Sequence, residues 1–396
     1  VGYDFNHQNN LTQYYTQRVL KHWIKEFKID GIRWDLTKGF TQNCNENDAS
    51  CTDSFQQDRV DLLKKYADYS WSLDPDHYVI FEHLGSDEEE REWANYRIDE
   101  DKGVMLWGKM TNQFNQLTMG FADGSGISRI DHRSRGFNAN RLIGYAESHD
   151  EERLMYKNIK YGNSSNSNHD VKILKTSLKR MNALGPSFIL SPGPKMIWHF
   201  SEMGMDNSLF TCNDGSIGGQ DCKLDTKPQP QWDSEWSEIN LRREIYDTWK
   251  TLINLKINEP VFEGDYKLSI FENNILFPQI QVWNNQIEGD SLKYVYVISN
   301  FDVQDKIINI KLPINGEWKN LLSNTIIDFN NSFELNLEAG SSIVLGNFKN
   351  CGIDDFDNDG IGDLCDIDID GDGILNSVDD CPKTPLDSVI DSKGCP

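Results

Sequence analysis

The first two thirds of the chain alternate short apolar runs with longer segments of helical periodicity. Five apolar runs lie around Gly31, Val79, Val104, Ile143 and Met196, and their lengths are typical of buried strands. Between them, apolar residues recur every three or four positions, as on one face of a helix. The clearest helical segments are 10–28 and 58–73. Strands that alternate with helices predict an α/β fold with a parallel sheet.

The pattern changes after Asn258, where apolar and polar residues alternate as in strands with one buried face. Runs such as KYVYVISN and SFELNLEAGSSIVLG are separated by Asn, Asp and Gly turns, which is typical of an antiparallel sandwich. A third, strongly acidic region follows. We therefore predict three regions: an α/β region at 1–258, an all-β domain at 259–348 and an acidic tail at 349–396.

Three of the predicted strands end in a carboxylate. The runs that lead to Asp35, Glu82 and Asp150 are apolar and then turn abruptly polar. Asp35 and Glu82 lie 47 residues apart, enough for one loop, one helix and one return strand, and Asp150 follows 68 residues later. In barrels of alternating strands and helices, catalytic groups lie where the strands end. Because two carboxylates suffice to hydrolyse a glycosidic bond, the pattern predicts a glycosidase.

Charge and composition restrict the classes of partner. The 396 residues carry a formal net charge of −24, which disfavours nucleic acid because its phosphates would be repelled. No apolar run in the sequence approaches the roughly 18 residues that a membrane helix needs. A neutral polysaccharide partner is compatible with an acidic, soluble surface.

The eight cysteines fall into four close pairs along the chain. An even number in local pairs favours disulfides and therefore an oxidising, extracellular compartment. A zinc site would require CxxC motifs or added His ligands, and the sequence has neither arrangement. The pairs are Cys44 with Cys51, Cys212 with Cys222, Cys351 with Cys365, and Cys381 with Cys395.

The Asp residues of the acidic tail follow a regular spacing. Residues 351–396 contain 13 Asp, two Lys and no Glu, and the Asp pattern from Asp355 recurs thirteen residues later from Asp368, with Gly360 and Gly373 at the bends. Alternate carboxylates around a Gly bend can wrap oxygen ligands around Ca²⁺. The pattern is similar to an EF-hand loop, but Asp replaces Glu at the twelfth position. The predicted Ca²⁺ ligands are Asp355, Asp357, Asp359, Asp363, Asp366, Asp368, Asp370, Asp372, Asn376 and Asp379.

The strand-end segments resemble conserved regions of the alpha-amylase family, glycoside hydrolase family thirteen. Arg33 and Asp35 match its second region, Glu82 its third, and His149 with Asp150 its fourth. The segment GPKMIWHFSEMGMD also resembles the family's eighth barrel strand and the turn after it. The order and intervals of these motifs make the resemblance specific over about residues 1–345.

The resemblance implies retaining hydrolysis of α-1,4-glucosidic bonds. Asp35 would attack the anomeric carbon, and Glu82 would protonate the leaving oxygen and later deprotonate water, with the two carboxyls roughly 5–5.5 Å apart. Asp150 would stabilise the transition state by holding sugar hydroxyls. In the family, Lys-His often follows the nucleophile strand, whereas Gly39 follows Lys38 here. The implied substrate-binding residues are Arg33, Lys38 and His149.

The implied fold is a (β/α)8 TIM barrel, which requires eight strands. Only strands four to eight can be counted, and the family's first region is not matched because Asn6-His7 has no preceding apolar strand. We therefore expect a fragment that contains part of the barrel, followed by the all-β domain and the tail. An open barrel would expose strand edges and apolar faces, and we expect the isolated fragment to be inactive.

The tail, with its DDCPKTP motif and cysteine pairs, resembles the thrombospondin type-3 repeat. That resemblance implies Ca²⁺ binding and a stalk or linker role, compatible with attachment to a cell surface; a disordered acidic tail is the alternative. We expect a secreted alpha-amylase that acts on starch or glycogen. The alternatives are a transglycosylating or branching enzyme of the same family and a calcium-binding surface protein without catalysis.

Overall fold

The structure is a computed structural model that describes residues 5–45, 47–228, 230–289, 291–349, 351–352, 354–359 and 361–396. It divides into two compact units, and each is described by itself. The first unit comprises Val1–Thr111, Ser128–Ala146 and Pro192–Met196. The second comprises Asn112–Ile127, Glu147–Ser191 and Ile197–Pro396.

A five-stranded parallel sheet forms the centre of the first unit. Its strand order follows the chain, and neighbouring strands are hydrogen-bonded in parallel register. Gly31 lies opposite Tyr78, and a Cβ at position 31 would come within 2.7 Å of the Tyr78 Cβ, so the close pairing requires glycine here. The strands are β1 (Gly31–Trp34), β2 (Tyr78–Phe81), β3 (Met105–Lys109), β4 (Leu142–Tyr145) and β5 (Lys195–Met196).

Helices pack on this sheet and form one hydrophobic core with it. Val60, Leu63 and Tyr66 of the third helix and Trp93 of the fourth are fully buried with Phe81 of β2. The third helix places apolar residues at the helical spacing predicted from the sequence, so one of its faces is continuous core. The helices of the first unit are α1 (Asn10–Phe27), α2 (Ala49–Asp53), α3 (Gln57–Leu73) and α4 (Asp87–Ala94).

The helices of the second unit are anchored by a buried arginine. Arg180 is fully buried and donates to the carbonyl oxygens of Leu117, Thr118 and Phe301, at 3.0, 2.5 and 2.5 Å. These bonds join the end of the fifth helix, the seventh helix and the loop that contains Phe301. The helices are α5 (Thr111–Met119), α6 (Leu154–Tyr161), α7 (Leu174–Ile189), α8 (Pro230–Asp233) and α9 (Asn240–Asn258).

Two antiparallel sheets follow α9. The larger has six strands in the order β11-β10-β13-β8-β7-β6, and the smaller pairs β12 with β9. Every residue of β8 is buried, which explains its near-continuous apolar sequence, whereas buried and partly exposed residues alternate along β7. The strands are β6 (Asp265–Ile270), β7 (Pro278–Trp283), β8 (Tyr294–Ser299), β9 (Lys306–Ile310), β10 (Gly316–Asn320), β11 (Ile326–Phe329), β12 (Phe333–Leu337) and β13 (Ser342–Asn347).

The predicted class of fold is confirmed at this level: a curled, parallel α/β sheet like half of a barrel is followed by antiparallel sheets. The assignment of the five strands to positions four to eight of a TIM barrel, the sandwich arrangement and the boundaries at 258 and 348 stay predictions. Among the helices that the structure describes, none has the length and apolar character needed to cross a membrane.

Candidate active site

Arg33 links two of the predicted catalytic carboxylates in the first unit. It lies on β1, and its guanidinium forms a hydrogen-bonded ion pair with Asp35 and a second ion pair with Glu82 at 2.8 Å. The guanidinium also lies 4.1 Å from the centre of the Trp107 ring, on β3. We call Arg33, Asp35 and Glu82 the first cluster. Its members come from the carboxyl ends of neighbouring strands, as the sequence predicted.

The backbone after Asp35 turns sharply to reach Glu82. Leu36 adopts a left-handed conformation with φ of 42°, which is uncommon for a residue with a branched side chain. Its N–H donates to Oε2 of Glu82 at 3.1 Å, and the N–H of Thr37 donates to the Glu82 carbonyl oxygen at 3.0 Å. Backbone strain at such a position persists only when the surrounding contacts hold it. The turn thereby fixes both the main chain and the side chain of Glu82.

The two carboxylates of the first cluster lie in different environments. The Asp35 side chain is 75% exposed, whereas that of Glu82 is 9% exposed. Burial raises the pKa of Glu82 above its ordinary value; the Leu36 N–H and Arg33 oppose the rise and the Asp35 carboxylate adds to it. One carboxylate is therefore open to solvent, and the other has an increased tendency to hold a proton.

A buried polar network lies behind the first cluster. His83, directly after Glu82, has Nδ1 at 3.1 Å from Oγ1 of Thr37 and Nε2 at 3.0 Å from Oε2 of Glu89. Glu89 accepts two hydrogen bonds from Arg59, at 2.8 and 2.5 Å. Sequence reasoning missed this network, since its members are distant in the chain and fall in no recognised motif. It ties β1, β2, α3 and α4 together beneath the turn.

Lys38, a predicted substrate contact, is engaged within the first unit. Its ammonium forms an ion pair with Asp53 at 2.6 Å, and its carbonyl oxygen accepts a hydrogen bond from Arg59 at 2.7 Å. Asp53 ends α2, which the disulfide between Cys44 and Cys51 closes against the preceding loop. A sugar that contacted the Lys38 ammonium would therefore compete with Asp53.

The third predicted carboxylate lies in the second unit, in the segment that follows β4 along the chain. Asp150 pairs through Oδ1 with the ammonium of Lys223 at 2.5 Å, and its Oδ2 lies 3.5 Å from Nε2 of His149. The His149 ring is 5.9 Å from that of Trp198. We call His149, Asp150 and Lys223 the second cluster. Sequence reasoning missed Lys223, which follows the predicted disulfide residue Cys222.

A buried ion pair supports the segment that carries the second cluster. Glu147 pairs with Arg153 at 3.1 Å, accepts from the Leu154 N–H at 2.6 Å and accepts from the Ser201 hydroxyl. The Arg153 guanidinium also lies near the Trp198 ring, at 5.9 Å. Both charged side chains are almost fully buried, so this pair holds the two ends of the segment in place.

The acidic tail contains two groups of three carboxylates, each compact enough to hold one cation. Asp355, Asp357 and Asp359 form one group, and the group around Asp370 lies thirteen residues later; within each group the nearest carboxylate oxygens lie within 4.8 Å of one another. Burial, with repulsion from Asp357 and other carboxylates, raises the pKa of Asp359 to about 6. The second group consists of Asp368, Asp370 and Asp372.

Several of these carboxylate oxygens are buried and have no hydrogen-bond donor in the described part of the chain. They belong to Asp366, Asp368, Asp370, Asp372 and Asp379. Buried charged oxygens are costly unless they are paired or bind a metal, so this donor set fits a hard cation. Gly360, the predicted bend of the first repeat, lies outside the described residues.

The other two predicted ligands close the repeats in equivalent ways. Asp363 accepts a hydrogen bond from the N–H of Phe356 at 2.9 Å, and Asn376 accepts one from the N–H of Ile369 at 3.0 Å. Both bonds span seven residues and are offset by thirteen, which matches the repeat in the sequence. A second Asp363 oxygen accepts from the Lys383 ammonium at 2.6 Å.

The four disulfides predicted from the cysteine spacing are all present. Each joins a pair that is close in sequence, so each closes a short loop of 7, 10, 14 or 14 residues. The bonded pairs are Cys44–Cys51, Cys212–Cys222, Cys351–Cys365 and Cys381–Cys395.

Comparison with known proteins identifies relatives of the fold and of the tail. The thrombospondin type 3 repeat matches residues 354–386. A search of curated protein sequences finds no match. Among solved structures, an Anoxybacillus alpha-amylase has 15% identity and a TM-score of 0.59. The matched region covers 87% of this chain and 65% of the amylase chain. A pullulanase from Anoxybacillus sp. LM18-11, complexed with maltotetraose, has 15% identity and a TM-score of 0.59, with coverages of 88% and 48%.

An alpha-amylase from H. orenii is similar to the same extent, with 16% identity, a TM-score of 0.57 and coverages of 87% and 66%. At such identities the similarity shows a shared fold alone. The chain spans about half to two thirds of the length of these neighbours. The amylase-like fold is thus established, whereas the activity has to be argued from the residues of the two clusters.

Proposed function

We propose that this chain carries catalytic machinery of a secreted alpha-amylase-type glycoside hydrolase, which cleaves α-1,4-glucosidic bonds with retention of configuration. The observation that carries the proposal is the contrast within the first cluster. Asp35 is exposed and paired with Arg33, and Glu82 is buried with a raised pKa. Retaining glycosidases need one ionised nucleophile and one carboxylic acid that can give up a proton.

In this proposal the first cluster performs both chemical steps. The Asp35 carboxylate attacks the anomeric carbon while Glu82 protonates the departing glycosidic oxygen, which leaves a covalent glycosyl-enzyme. Glu82, now ionised, then removes a proton from water as that water attacks the same carbon, and the bond between this carbon and Asp35 breaks to release the carboxylate. Arg33 holds the Asp35 carboxylate through a charge-assisted hydrogen bond and limits the rise in the pKa of Glu82.

We further propose that His149 and Asp150 bind the hydroxyls of the sugar ring that reacts. A charged hydrogen bond to a sugar hydroxyl can strengthen as positive charge develops on the ring, and this stabilises the transition state. Trp198, next to His149, offers an aromatic surface of the kind that sugars contact. The proposed substrate is an α-glucan, and one structural neighbour, a pullulanase complexed with maltotetraose, agrees with that class.

We also propose that the tail binds Ca²⁺ through the two carboxylate groups and the additional buried oxygens of Asp366 and Asp379. Bound cations would neutralise the clustered charge and complete the folding of a region with few apolar residues. The disulfides and this repeat support an extracellular location.

The test compares Asp35→Asn and Glu82→Gln with the exposed control Asp99→Asn in the complete gene product. On amylose, both site variants should lose activity by on the order of 10⁴-fold, and the control should match the wild type. On an aryl maltoside with a good leaving group, Glu82→Gln should retain much more of its glycosylation rate than Asp35→Asn, because little proton donation is needed.

The products distinguish the remaining alternatives. Newly released reducing ends in the α configuration support a retaining hydrolase, whereas new branch points would indicate a branching enzyme. Full activity of Asp35→Asn on amylose would refute the proposal. A wild-type protein that binds Ca²⁺ but cleaves no glucan would instead support the non-catalytic surface protein.

A further inference from the structure

In the second unit, a loop closed by a disulfide is followed by Lys223, whose ammonium pairs with Asp150. Within the loop, the Cys212 N–H donates to the Ser216 carbonyl oxygen at 2.8 Å, and Cys212 is bonded to Cys222. Gly218 packs directly on this disulfide: a Cβ at that position would lie 2.5 Å from the sulfur of Cys222 and 2.7 Å from that of Cys212. The loop is therefore wound tightly around its disulfide. Lys223 directly follows Cys222 in the chain.

A second lysine closes the base of the same loop. The Lys227 ammonium donates to the Thr211 carbonyl oxygen at 2.7 Å and also to the carbonyl oxygen of Cys222. These bonds connect the segment that enters the loop with the segment that leaves it. The backbone on both sides of Lys223 is consequently fixed, by a covalent bond before it and by hydrogen bonds around it.

The loop is joined to the segment carrying Asp150 at two separate points. Near its start, the Leu209 N–H and the Ser208 hydroxyl donate to the Glu152 carboxylate at 2.7 and 2.6 Å. Near its end, Lys223 pairs with Asp150 at 2.5 Å. Two carboxylates, two residues apart in the chain, are thus held by opposite ends of one loop. Such a double connection restricts the rotation of the segment more than one surface ion pair would.

We propose that Lys223 is a positioning residue, which holds the Asp150 carboxylate in the orientation needed to bind sugar hydroxyls. This inference rests on the proposed function, since it assigns Asp150 a role in binding the substrate. An ammonium that donates to Oδ1 restricts the orientation of the Asp150 carboxylate. The Cys212–Cys222 disulfide acts through Lys223, because it sets the position from which the lysine side chain reaches Asp150.

The activity test uses Lys223→Ala, Lys223→Arg and a control, Lys175→Ala, at an exposed lysine of α7. Measured on a maltooligosaccharide with the complete gene product, kcat/KM of Lys223→Ala should fall about 10- to 100-fold, as expected when a binding group is misplaced by about 1 Å. Lys223→Arg should recover most of the loss, and Lys175→Ala should show none.

In an Asp150→Asn background, Lys223→Ala should cause little further loss, because the two residues act as a unit. A full additional loss in that background, or wild-type kinetics of Lys223→Ala, would overturn the inference. The variant with Cys212→Ser and Cys222→Ser should lose activity to the same extent as Lys223→Ala. Circular dichroism of each variant separates misplacement from failure to fold.

A labelling experiment tests the pairing without relying on activity. Because the Lys223 ammonium is paired with Asp150 whereas Lys175 is exposed, Lys223 should react with acetic anhydride more slowly than Lys175 in the wild type, as read from peptide masses. Asp150→Asn should accelerate acylation of Lys223 several-fold and leave Lys175 unchanged. Unchanged acylation of Lys223 would overturn the inference even in an active enzyme. Acceleration in a protein that cleaves no glucan would refute only the proposed function.

Discussion

The buried pair of Arg59 and Glu89 allows a quantitative test of what holds the first cluster in place. Both side chains are completely buried, and Arg59 donates two hydrogen bonds to the carboxylate. It donates three more to the carbonyl oxygens of Lys38, Thr52 and Ser54, at 2.7, 3.0 and 3.0 Å. Arg59→Met keeps the apolar stem of the side chain and removes all five donors.

The main cost of Arg59→Met is the carboxylate left behind. Burial alone would push the pKa of Glu89 up, but hydrogen bonds from His83 and Arg59 keep it below its ordinary value, so the group is buried in its ionised form. Removing one partner of such a pair typically destabilises a protein by about 3–5 kcal/mol. Replacing both partners by apolar residues avoids the unpaired charge, and Arg59→Met with Glu89→Leu should cost less than the sum of the single changes.

The control is Arg97→Met, at an arginine that pairs with Asp68 and Glu100 on the surface. The Arg97 side chain is 31% exposed, so we expect a loss of only about 0–1 kcal/mol. Because the chain contains more than one unit, a single unfolding transition is an unsafe measure. Hydrogen exchange of α3 peptides, followed by mass spectrometry, gives the local free energy of opening.

The expected order of stability losses is thus Arg59→Met, then the double variant, then Arg97→Met. A loss below about 1 kcal/mol for Arg59→Met would mean that Glu89 becomes protonated or hydrated at little cost. A double variant that loses the full sum of the single changes would mean that the two side chains stabilise the fold independently. Either result would refute the reasoning that the pair is one coupled element.

Two further predictions concern protons and cations. The pKa of Glu82 is raised above its ordinary value of 4.5. The stability that protonated Glu82 contributes is therefore complete below about pH 4.5, and it is lost as the pH rises through the higher pKa of the folded state. Glu82→Gln should therefore gain stability relative to wild type with rising pH, measured between about pH 4 and 8 as the local free energy of opening from hydrogen exchange of β2 peptides, while the exposed Glu263→Gln should not. Removing Ca²⁺ with a chelator should accelerate proteolysis within residues 354–386, and adding back Ca²⁺, but not Mg²⁺, should restore protection. Equal cleavage with and without Ca²⁺ would contradict the proposed ligands.

The sequence was sufficient to locate the strand ends because their signal is local. A short apolar run followed by a carboxylate marks both the strand and its functional end, and Asp35 and Glu82 are indeed brought together by adjacent parallel strands. The network of Arg59, His83 and Glu89 has no such signal. Arg59 and Glu89 lie 30 positions apart in the chain and meet only through three-dimensional packing, and each member of the network resembles an ordinary surface charge when considered alone.

The helical periodicity of the sequence predicted an apolar face on α1 but did not indicate which residues pack against that face. The sequence places the apolar residues of α1 on one face, but only Leu20 and Ile24 are buried, while Leu11, Tyr14 and Trp23 are exposed in this structure. The period of the pattern depends on the helix itself, whereas burial depends on neighbours that the pattern does not specify. Lys223 is a similar case, because its reach to Asp150 follows from a loop conformation that the cysteine spacing alone does not define.

In the first cluster, one arginine pairs with two carboxylates that differ in their exposure to solvent. Arg33 acts to lower the pKa of Glu82, so the net rise in that pKa must arise mainly from burial. Glu82 is enclosed by the turn at Leu36 and Thr37, where burial outweighs the attraction of Arg33, whereas Asp35 projects into solvent. Opening that turn would hydrate Glu82 and remove the asymmetry while leaving Arg33 in place. The left-handed backbone of Leu36 is therefore as important to the proposed acid–base chemistry as the charged residues themselves.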